Sequence, residues 1–332
     1  MFFRLAVVLV NWNGWRDTVA CLESLLPHLP SQAKVLVCDN ASTDGSLQHL
    51  ENWATTQLGP TGFVKLTRAQ AEQGGAPQDP QLVLVDSGGN LGFAGGNNVG
   101  IRYALRQQFD FVWLLNNDTV VDHDTAPELI KTMMADPSIG MCGSTMFYFD
   151  TPNVVQCLAG SSFDLTRAVG HPIGYGKPFD PQTPPADVVS QLGHISGASM
   201  MVSRRFLEAI GLMDESYFLY FEEMDWAIRA QNQFRLGWAP LSFVWHKEGS
   251  SIGSSHRNRP SNKSLTYMCV NRLRFTRNRA PHYYRSVRQR MWWETAAYLK
   301  RQDWDAARIY LHALTGWQFL LPELRAPISY QA

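Results

Sequence analysis

The chain has no two cysteines close enough to form a CxxC pair: its five, at positions 21, 38, 142, 157 and 269, are odd in number and widely spaced. That excludes a disulfide framework or a zinc-ribbon site and points to a reducing compartment, hence a cytoplasmic location. It also has no uninterrupted apolar run of about 18 residues, the length that a membrane span requires. The apolar stretch 1–10 stops at Asn11 with no small-residue cleavage site after it, so a first strand is expected there rather than a signal peptide. Acidic residues are missing between Glu248 and Glu294, an interval that holds ten basic residues from 257 to 290. Formal net charge is zero over 332 residues, but residues 1–250 carry 15 Lys and Arg against 25 Asp and Glu, whereas 251–332 carry 14 against 4. No nucleic-acid partner is expected, because the longer part of the chain is acidic. An apolar fraction of 45% with 17% charged residues is that of a globular chain able to bury a sizeable core.

What is present is a repeated pattern. Four short, largely apolar runs each end abruptly in polar residues, and apolar residues at helical spacing follow. The first, 5–10, enters Asn11-Trp12-Asn13-Gly14 and is followed by Val19, Leu22, Leu25, Leu26 and Leu29. The second, 33–37, ends in Cys38-Asp39-Asn40-Ala41-Ser42-Thr43-Asp44-Gly45-Ser46, with Leu47, Leu50 and Trp53 beyond. The third, 82–85, enters a segment to Asn98 with five glycines, which let backbone approach a ligand closely before a helix through Tyr103 and Arg106. The fourth, 111–115, ends in Asn116-Asn117-Asp118, and the next helix opens with Thr125 and Pro127. Such units predict an α/β fold: a doubly wound, mostly parallel sheet with right-handed crossovers. Ligands of open parallel sheets sit beyond the carboxyl ends of the strands. Asp118 is therefore a candidate for metal or phosphate handling, the alternative being an Asx-turn that ends the strand. Asp39 occupies the equivalent place.

Residues 54–80 lack periodicity and read as a surface insertion with at most one short strand; 143–190 read as a loop-rich region for the acceptor or a small hairpin layer. A strand interrupted by Ser196-Gly197 is expected over 194–202, a short helix over 204–210 ending at Gly211, and one or two strands over 236–245 ending at His246. Glu222, Glu223 and Asp225 fall in the first turn of a helix, where the helix dipole alone also favours acids. Asp225 lies about 200° round that helix from Glu223 and so reads as structural or acceptor-orienting. A second region, 251–332, is a basic, aromatic-rich helical extension in which Tyr283, Tyr284, Trp292 and Trp293 interleave with arginines and 284–321 is helical, with Trp317 and Leu320 among its packing residues.

Val-Leu-Val-Asn-Trp-Asn-Gly at 8–14, the Asp39 segment at 38–46, Asn-Leu-Gly-Phe-Ala-Gly-Gly-Asn-Asn at 90–98, Leu-Asn-Asn-Asp at 115–118, Tyr-Phe-Glu-Glu-Met-Asp-Trp at 220–226 and His246 occur in this order. From about residue 5 to about 275 the chain resembles family 2 glycosyltransferases of the GT-A fold, particularly the rhamnosyltransferase-like branch of bacterial polysaccharide synthesis. The resemblance implies a GT-A domain over 1–250. It implies that Asp39, with Asn11 beside it, holds the nucleoside, and that Asn90, Gly92, Gly96 and Asn97 close around the donor. Asn116-Asn117-Asp118 matches the family's Asp-x-Asp motif with Asn116 in its first place. Asp118 is then a metal ligand, His246 a second one, and Glu223 the catalytic base.

The implied reaction is an inverting, metal-dependent transfer of a sugar, such as rhamnose, from a nucleotide diphosphate sugar to a glycan or polyprenyl-diphosphate-linked acceptor. Oxygen ligands suit Mg2+ or Mn2+, and an imidazole leans toward Mn2+. The expected donor is dTDP- or UDP-linked. With Asn116 replacing an acid, the ion should bind weakly until the donor diphosphate joins it. The basic extension has three readings: a contact to an acceptor diphosphate, a dock for an anionic membrane surface on the inner face of the plasma membrane, or a solvated helical face. The competing functions are a sugar nucleotidyltransferase, whose phosphate clamp is lacking near the first strand, and a catalytically degenerate binding subunit of a membrane assembly.

Overall fold

The computed structural model describes residues 3–76, 80–247 and 259–316. The chain divides into two compact units: Met1–Ser162 with Gly170–Phe218 and Glu222–Ser251, and Phe163–Val169 with Leu219–Phe221 and Ile252–Ala332.

The run 5–10 forms β1 (Leu5–Asn11), α1 (Trp15–Leu25) returns, and β2 (Lys34–Asp39) pairs parallel with β1 so that Asn11 stands opposite Asp39. Next come α2 (Ser46–Leu58), β3 (Phe63–Thr67), α3 (Arg68–Glu72) and β4 (Leu82–Asp86), which carry the sheet to one edge. Helix α4 (Gly92–Arg106) then crosses back, and β5 (Phe111–Leu115) pairs parallel with the other side of β1. The order β3-β4-β2-β1-β5 reverses its winding at β1. The carboxyl ends of β1, β2 and β5 therefore surround the switch point where a ligand crevice opens in such sheets. Leu5, Val7 and Leu9 join one buried cluster with Val35 and Leu82, while Ala6 and Val8 join another with Leu36 and Val83. Burial on both faces is why these strands show no polar alternation.

The chain continues through β6 (Thr119–Val121), α5 (Thr125–Ala135), β7 (Ile139–Tyr148), β8 (Val155–Leu158), β9 (Gly160–Asp164), β10 (Val169–Pro172), α6 (Pro185–Val189), β11 (His194–Ile195), β12 (Ser199–Ser203), α7 (Arg204–Ile210), α8 (Glu222–Ala230) and β13 (Arg235–His246). Strand β12 lies antiparallel between β5 and β7, and β13 runs parallel to β7 and antiparallel to β6. The sheet is thus parallel from β3 to β5 and mixed beyond. A buried polar seam crosses the mixed half: Trp113 Nε1 donates to Ser199 Oγ (3.0 Å), which meets Ser144 Oγ (2.7 Å), which meets Ser242 Oγ (2.9 Å).

Several expectations are revised. The insertion 54–80 does hold one strand, β3, but it also contains the end of α2 and all of α3, whose capping box joins Thr67 and Gln70. Strands 82–85 and 111–115 are consequently the fourth and fifth, not the third and fourth. The start of 143–190 is no loop, since all ten residues of β7 are buried. Gly143 there marks a close approach, because a Cβ on it would lie 2.8 Å from Ala159 Cα. The interrupted strand at 194–202 is two strands in different sheets, β11 and β12, and 235–246 is a single strand with two irregularities in its pairing.

In the second unit α9 (Asn262–Arg279), α10 (Tyr284–Lys300) and α11 (Trp304–Thr315) pack through Leu265, Cys269 and Leu273, Val287 and Met291, and Ile309 and Leu314. Helix α9 escapes periodicity because polar Asn271, Arg272 and Thr276 are among its buried residues. Within the described part of the helix expected over 284–321 there are two helices, because Asp303 Oδ1 accepts the N–H of Ala306 (3.1 Å) and starts a new one. Arg257, Trp317 and Leu320 lie outside the described residues.

Candidate active site

Three polar groups stand at the carboxyl ends of adjacent parallel strands. Asp39, closing β2, accepts hydrogen bonds from Asn11 Nδ2 (2.6 Å), Ser42 Oγ (2.6 Å) and the Ser42 N–H (3.0 Å). Asn11 in turn accepts from Thr18 Oγ1 (2.9 Å) and from Asn117 Nδ2 (3.3 Å). Asn117 also donates to Thr18 Oγ1 (2.8 Å), so the middle residue of Asn116-Asn117-Asp118 locks β5 to β1 and α1 while its neighbours are left to other partners.

Asp118 and His246 are brought together. Both are buried, and His246 Nε2 lies 3.1 Å from Asp118 Oδ1 and 3.4 Å from Asn116 Nδ2. The pairing follows from β13 lying antiparallel to β6, with His246 opposite Thr119. On the far side of the ring, Nδ1 lies 3.0 Å from Oε1 of buried Gln156, on β8. With Gln156 accepting from Nδ1–H, the Nε2 lone pair faces the carboxylate, the tautomer that a metal-binding histidine needs. The donor set, one carboxylate and one imidazole with an oriented second partner, fits a divalent cation. Among the described residues no group of three His, Cys, Asp or Glu converges on a metal position, so this pair leaves coordination places for a ligand's own oxygens.

Glu223, in the first turn of α8, is half-buried, and burial pushes its carboxyl up to about 7. Its own backbone N–H and that of Gly197 donate to it and oppose that rise. A Cβ at Gly197 would collide with Glu223 Oε1 and lie 3.0 Å from Phe93 Cζ, so only glycine admits the carboxylate here. One residue on, Ala198 O accepts from Asn116 N–H (3.0 Å). The Ser196–Ala198 turn thus ties the Glu223 carboxylate to the end of β5. Asp225 points elsewhere: it is fully buried and ion-paired to Arg229 at 2.8 Å, a structural role.

The glycine-rich segment is mostly helix. Gly92 has φ +71°, receives Asn40 Nδ2 on its carbonyl (2.8 Å), and its N–H donates to Asn90 Oδ1 (3.1 Å). Gly96 is within α4, where a Cβ would lie 2.9 Å from Asn40 Nδ2 and from Val10 Cγ1, so close packing of helix on sheet accounts for it. Asn97 Nδ2 donates to Phe93 O (3.0 Å) inside the same helix. Gln156, Gly197, Thr18 and Ser42 contact the candidate residues without being singled out in the sequence; Ser42 lies inside the 38–46 motif and Gly197 in the break Ser196-Gly197, while Gln156 and Thr18 give no signal. All five cysteines are buried and free, and burial pushes Cys21, Cys38 and Cys269 up to about 12, so they are packing groups.

Comparison with known proteins puts this geometry in context. Residues 6–156 match the family model described as glycosyl transferase family 2. The low-salt glycan biosynthesis hexosyltransferase Agl10 of Haloferax volcanii is 26% identical over 242 residues, 70% of this chain, and the match spans 63% of that protein's length. Among solved structures, the mannosyltransferase PcManGT of Pyrobaculum calidifontis, in complex with GDP-Man and Mn2+, aligns over 95% of this chain and 75% of its own with TM-score 0.53 and 17% identity. TarS of S. aureus, in complex with UDP-GlcNAc, aligns over 94% and 82% with TM-score 0.53 and 15% identity. These likenesses show a shared GT-A-like fold.

Proposed function

We propose that this protein, whose residues 6–156 match the model of glycosyl transferase family 2, transfers a hexosyl group from a nucleotide diphosphate sugar to an acceptor hydroxyl, with inversion. One observation carries the reading: an unbroken set of contacts links Asp39 through Asn11 to Asn117, and the adjoining Asn116 both to Asp118 and His246 and, through Ala198 and Gly197, to Glu223. A nucleoside anchor, a cation pair and a base thus share one rigid edge, which is what orienting two substrates requires.

Asp39 and Asn11 hold the nucleoside, while Asn40 and Asn90 fix the backbone at Gly92 against which the donor rests, with Gly96 and Asn97 behind it. Asn116 adds a neutral amide beside Asp118 and His246. A divalent ion on that pair would offset the charge that builds on the leaving diphosphate. Glu223 takes the acceptor's hydroxyl proton as the acceptor oxygen bonds to the anomeric carbon and the bond to the diphosphate oxygen breaks. Its raised proton affinity matches a base working near neutral pH. In full-length protein, Glu223→Gln should abolish transfer while UDP binding measured with Mn2+ stays near normal; retention of most of the rate would assign the base elsewhere.

The donor is a UDP- or dTDP-linked sugar, with rhamnose a candidate from the resemblance and the hexoses named for the relatives as others. A thermal-shift screen of nucleotide sugars with Mn2+ identifies it, since a bound donor stabilises by mass action. Mn2+-dependent hydrolysis of that donor without acceptor separates an active enzyme from a degenerate binding subunit, and release of free sugar rather than sugar phosphate separates it from a nucleotidyltransferase.

The acceptor is a glycan or a polyprenyl-diphosphate-linked sugar, met at an anionic membrane surface. No helix among the described residues is long and apolar enough to cross a membrane. Helix α10 instead exposes Trp292 and Trp293 beside Arg285 and Lys300, and α11 exposes Trp304, the aromatic-plus-basic set that suits an anionic bilayer surface. Its one acid, Glu294, is paired with Arg272 (2.7 Å) and Arg290 (3.2 Å), leaving the rest of the charge basic. Co-sedimentation with phosphatidylglycerol vesicles but not with phosphatidylcholine vesicles is expected; equal behaviour with both would remove the membrane from the partners.

A further inference from the structure

The backbone enters α8 through an unfavourable turn. Tyr220 and Phe221 have φ of +68° and +77° in succession, a conformation that side chains with a Cβ seldom adopt and that persists only where surroundings enforce it. Residues of the same compact unit supply that enforcement. Asn271, buried on α9, donates from Nδ2 to the carbonyls of Leu219 (2.8 Å) and Tyr220 (3.2 Å), and an amide has one hydrogen for each. The Phe221 ring sits against Phe163 and Phe275, with centroids 6.4 and 5.5 Å away. On the other side of the turn, Phe218 O accepts the Phe93 N–H (2.8 Å) at the start of α4, and a Cβ on Gly92 would collide with that same carbonyl. The next residues are Glu222 and Glu223.

We propose that Asn271 is a positioning residue for Glu223: it holds the left-handed Tyr220–Phe221 turn, and the turn sets where α8 begins and where the Glu223 carboxylate stands. The C-terminal helices then matter to catalysis through a single buried amide, independently of any surface they present to a partner. This rests on Glu223 being the base, so its test must separate the two claims. Replacing Asn271 by Asp keeps the shape but removes both hydrogens, and replacing it by Ala removes the group.

Full-length Asn271→Ala, Asn271→Asp and Glu223→Gln are compared with the unaltered protein in Mn2+-dependent hydrolysis of UDP-glucose, UDP-N-acetylglucosamine, GDP-mannose and dTDP-rhamnose, using whichever the unaltered protein cleaves fastest. Both Asn271 variants should lose kcat by about 10-fold to 100-fold, the scale of a misplacement near 1 Å, with donor KM and UDP affinity within about twofold. The midpoint of the acidic limb of the pH–rate profile should move as well, which a merely structural role would not do. Adding Tyr220→Gly to Asn271→Ala should restore part of the rate, because glycine adopts the left-handed conformation freely. Should Asn271→Ala not be recovered folded, Asn271→Ser is measured by the same readouts. Unchanged kcat beside an inactive Glu223→Gln, a loss confined to KM, or no recovery from Tyr220→Gly would overturn the role of Asn271. An active Glu223→Gln would instead overturn the base.

Discussion

Asp39 and Glu223 are carboxylates at the same sheet edge, yet their surroundings differ in kind. Asp39 is met by three donors from Asn11 and Ser42, none longer than 3.0 Å, so its buried charge is well satisfied. Glu223 has only backbone N–H groups from itself and Gly197, and loss of water dominates, pushing its carboxyl up to about 7. A carboxylate saturated by side-chain and backbone donors suits holding a partner in place, while one partly stripped of water suits taking a proton near neutrality. Environment, not residue type, sorts the two roles.

The comparison breaks most sharply at Glu223. Glu223→Gln should cost about 10²-fold to 10⁴-fold in kcat, the range for a general base. In the unaltered protein the rate should rise with pH on a limb centred near pH 7, where Glu223 loses its proton, and that limb should vanish in the variant. The next effect is at the cation pair, which resembles Asp39 in being ordered by a neighbour. Gln156→Ala frees the His246 ring and should weaken Mn2+ binding in the presence of UDP by about 10-fold to 100-fold in calorimetry, the usual loss when a ligand's orienting partner is removed. Mn2+ should bind the protein without UDP only weakly, because among the described residues Asp118 is the one carboxylate that meets His246; tight binding to the free protein would defeat this expectation.

Asp39→Asn keeps the shape of the nucleoside corner and removes its charge. UDP affinity should fall by about 10-fold, the scale of a hydrogen bond to a charged group, with kcat little changed. The smallest effect concerns stability. Glu223 binds its proton more tightly folded than unfolded, so the folded state loses stability as pH rises from the ordinary carboxyl value of 4.5 through about 7. Glu223→Gln should therefore melt a few degrees above the unaltered protein at pH 8 and level with it at pH 4 by differential scanning calorimetry. Equal melting at both would mean that the carboxylate is better solvated than the fold implies.

Much of this molecule is legible along the chain. Strands β1, β2, β4 and β5 are largely apolar runs because they are covered on both faces, and each ends in the polar residues that the sheet delivers to its edge. Asp39 and Asp118 stand out for that reason, whereas Asn11 is singled out through the resemblance. The later half reads poorly: β7 contains Gly140, Gly143 and Ser144, which look like loop residues until close neighbours explain them, and α9 hides behind a polar buried face.

Local pattern encodes which face of an element is covered, since that depends on residues two to four apart. It does not encode partners that meet only after distant segments pair. Gln156 reaches His246 across 90 residues, Asn271 reaches Leu219 across 52, and Gly197 is required only because the Glu223 carboxylate comes to rest where its Cβ would be. The strand ends that carry Asn11, Asp39 and Asp118 follow from periodicity, whereas the groups that orient His246 and neighbour Glu223 are contributed by long-range pairing, where geometry is set by the packed sheet and the turn beside it.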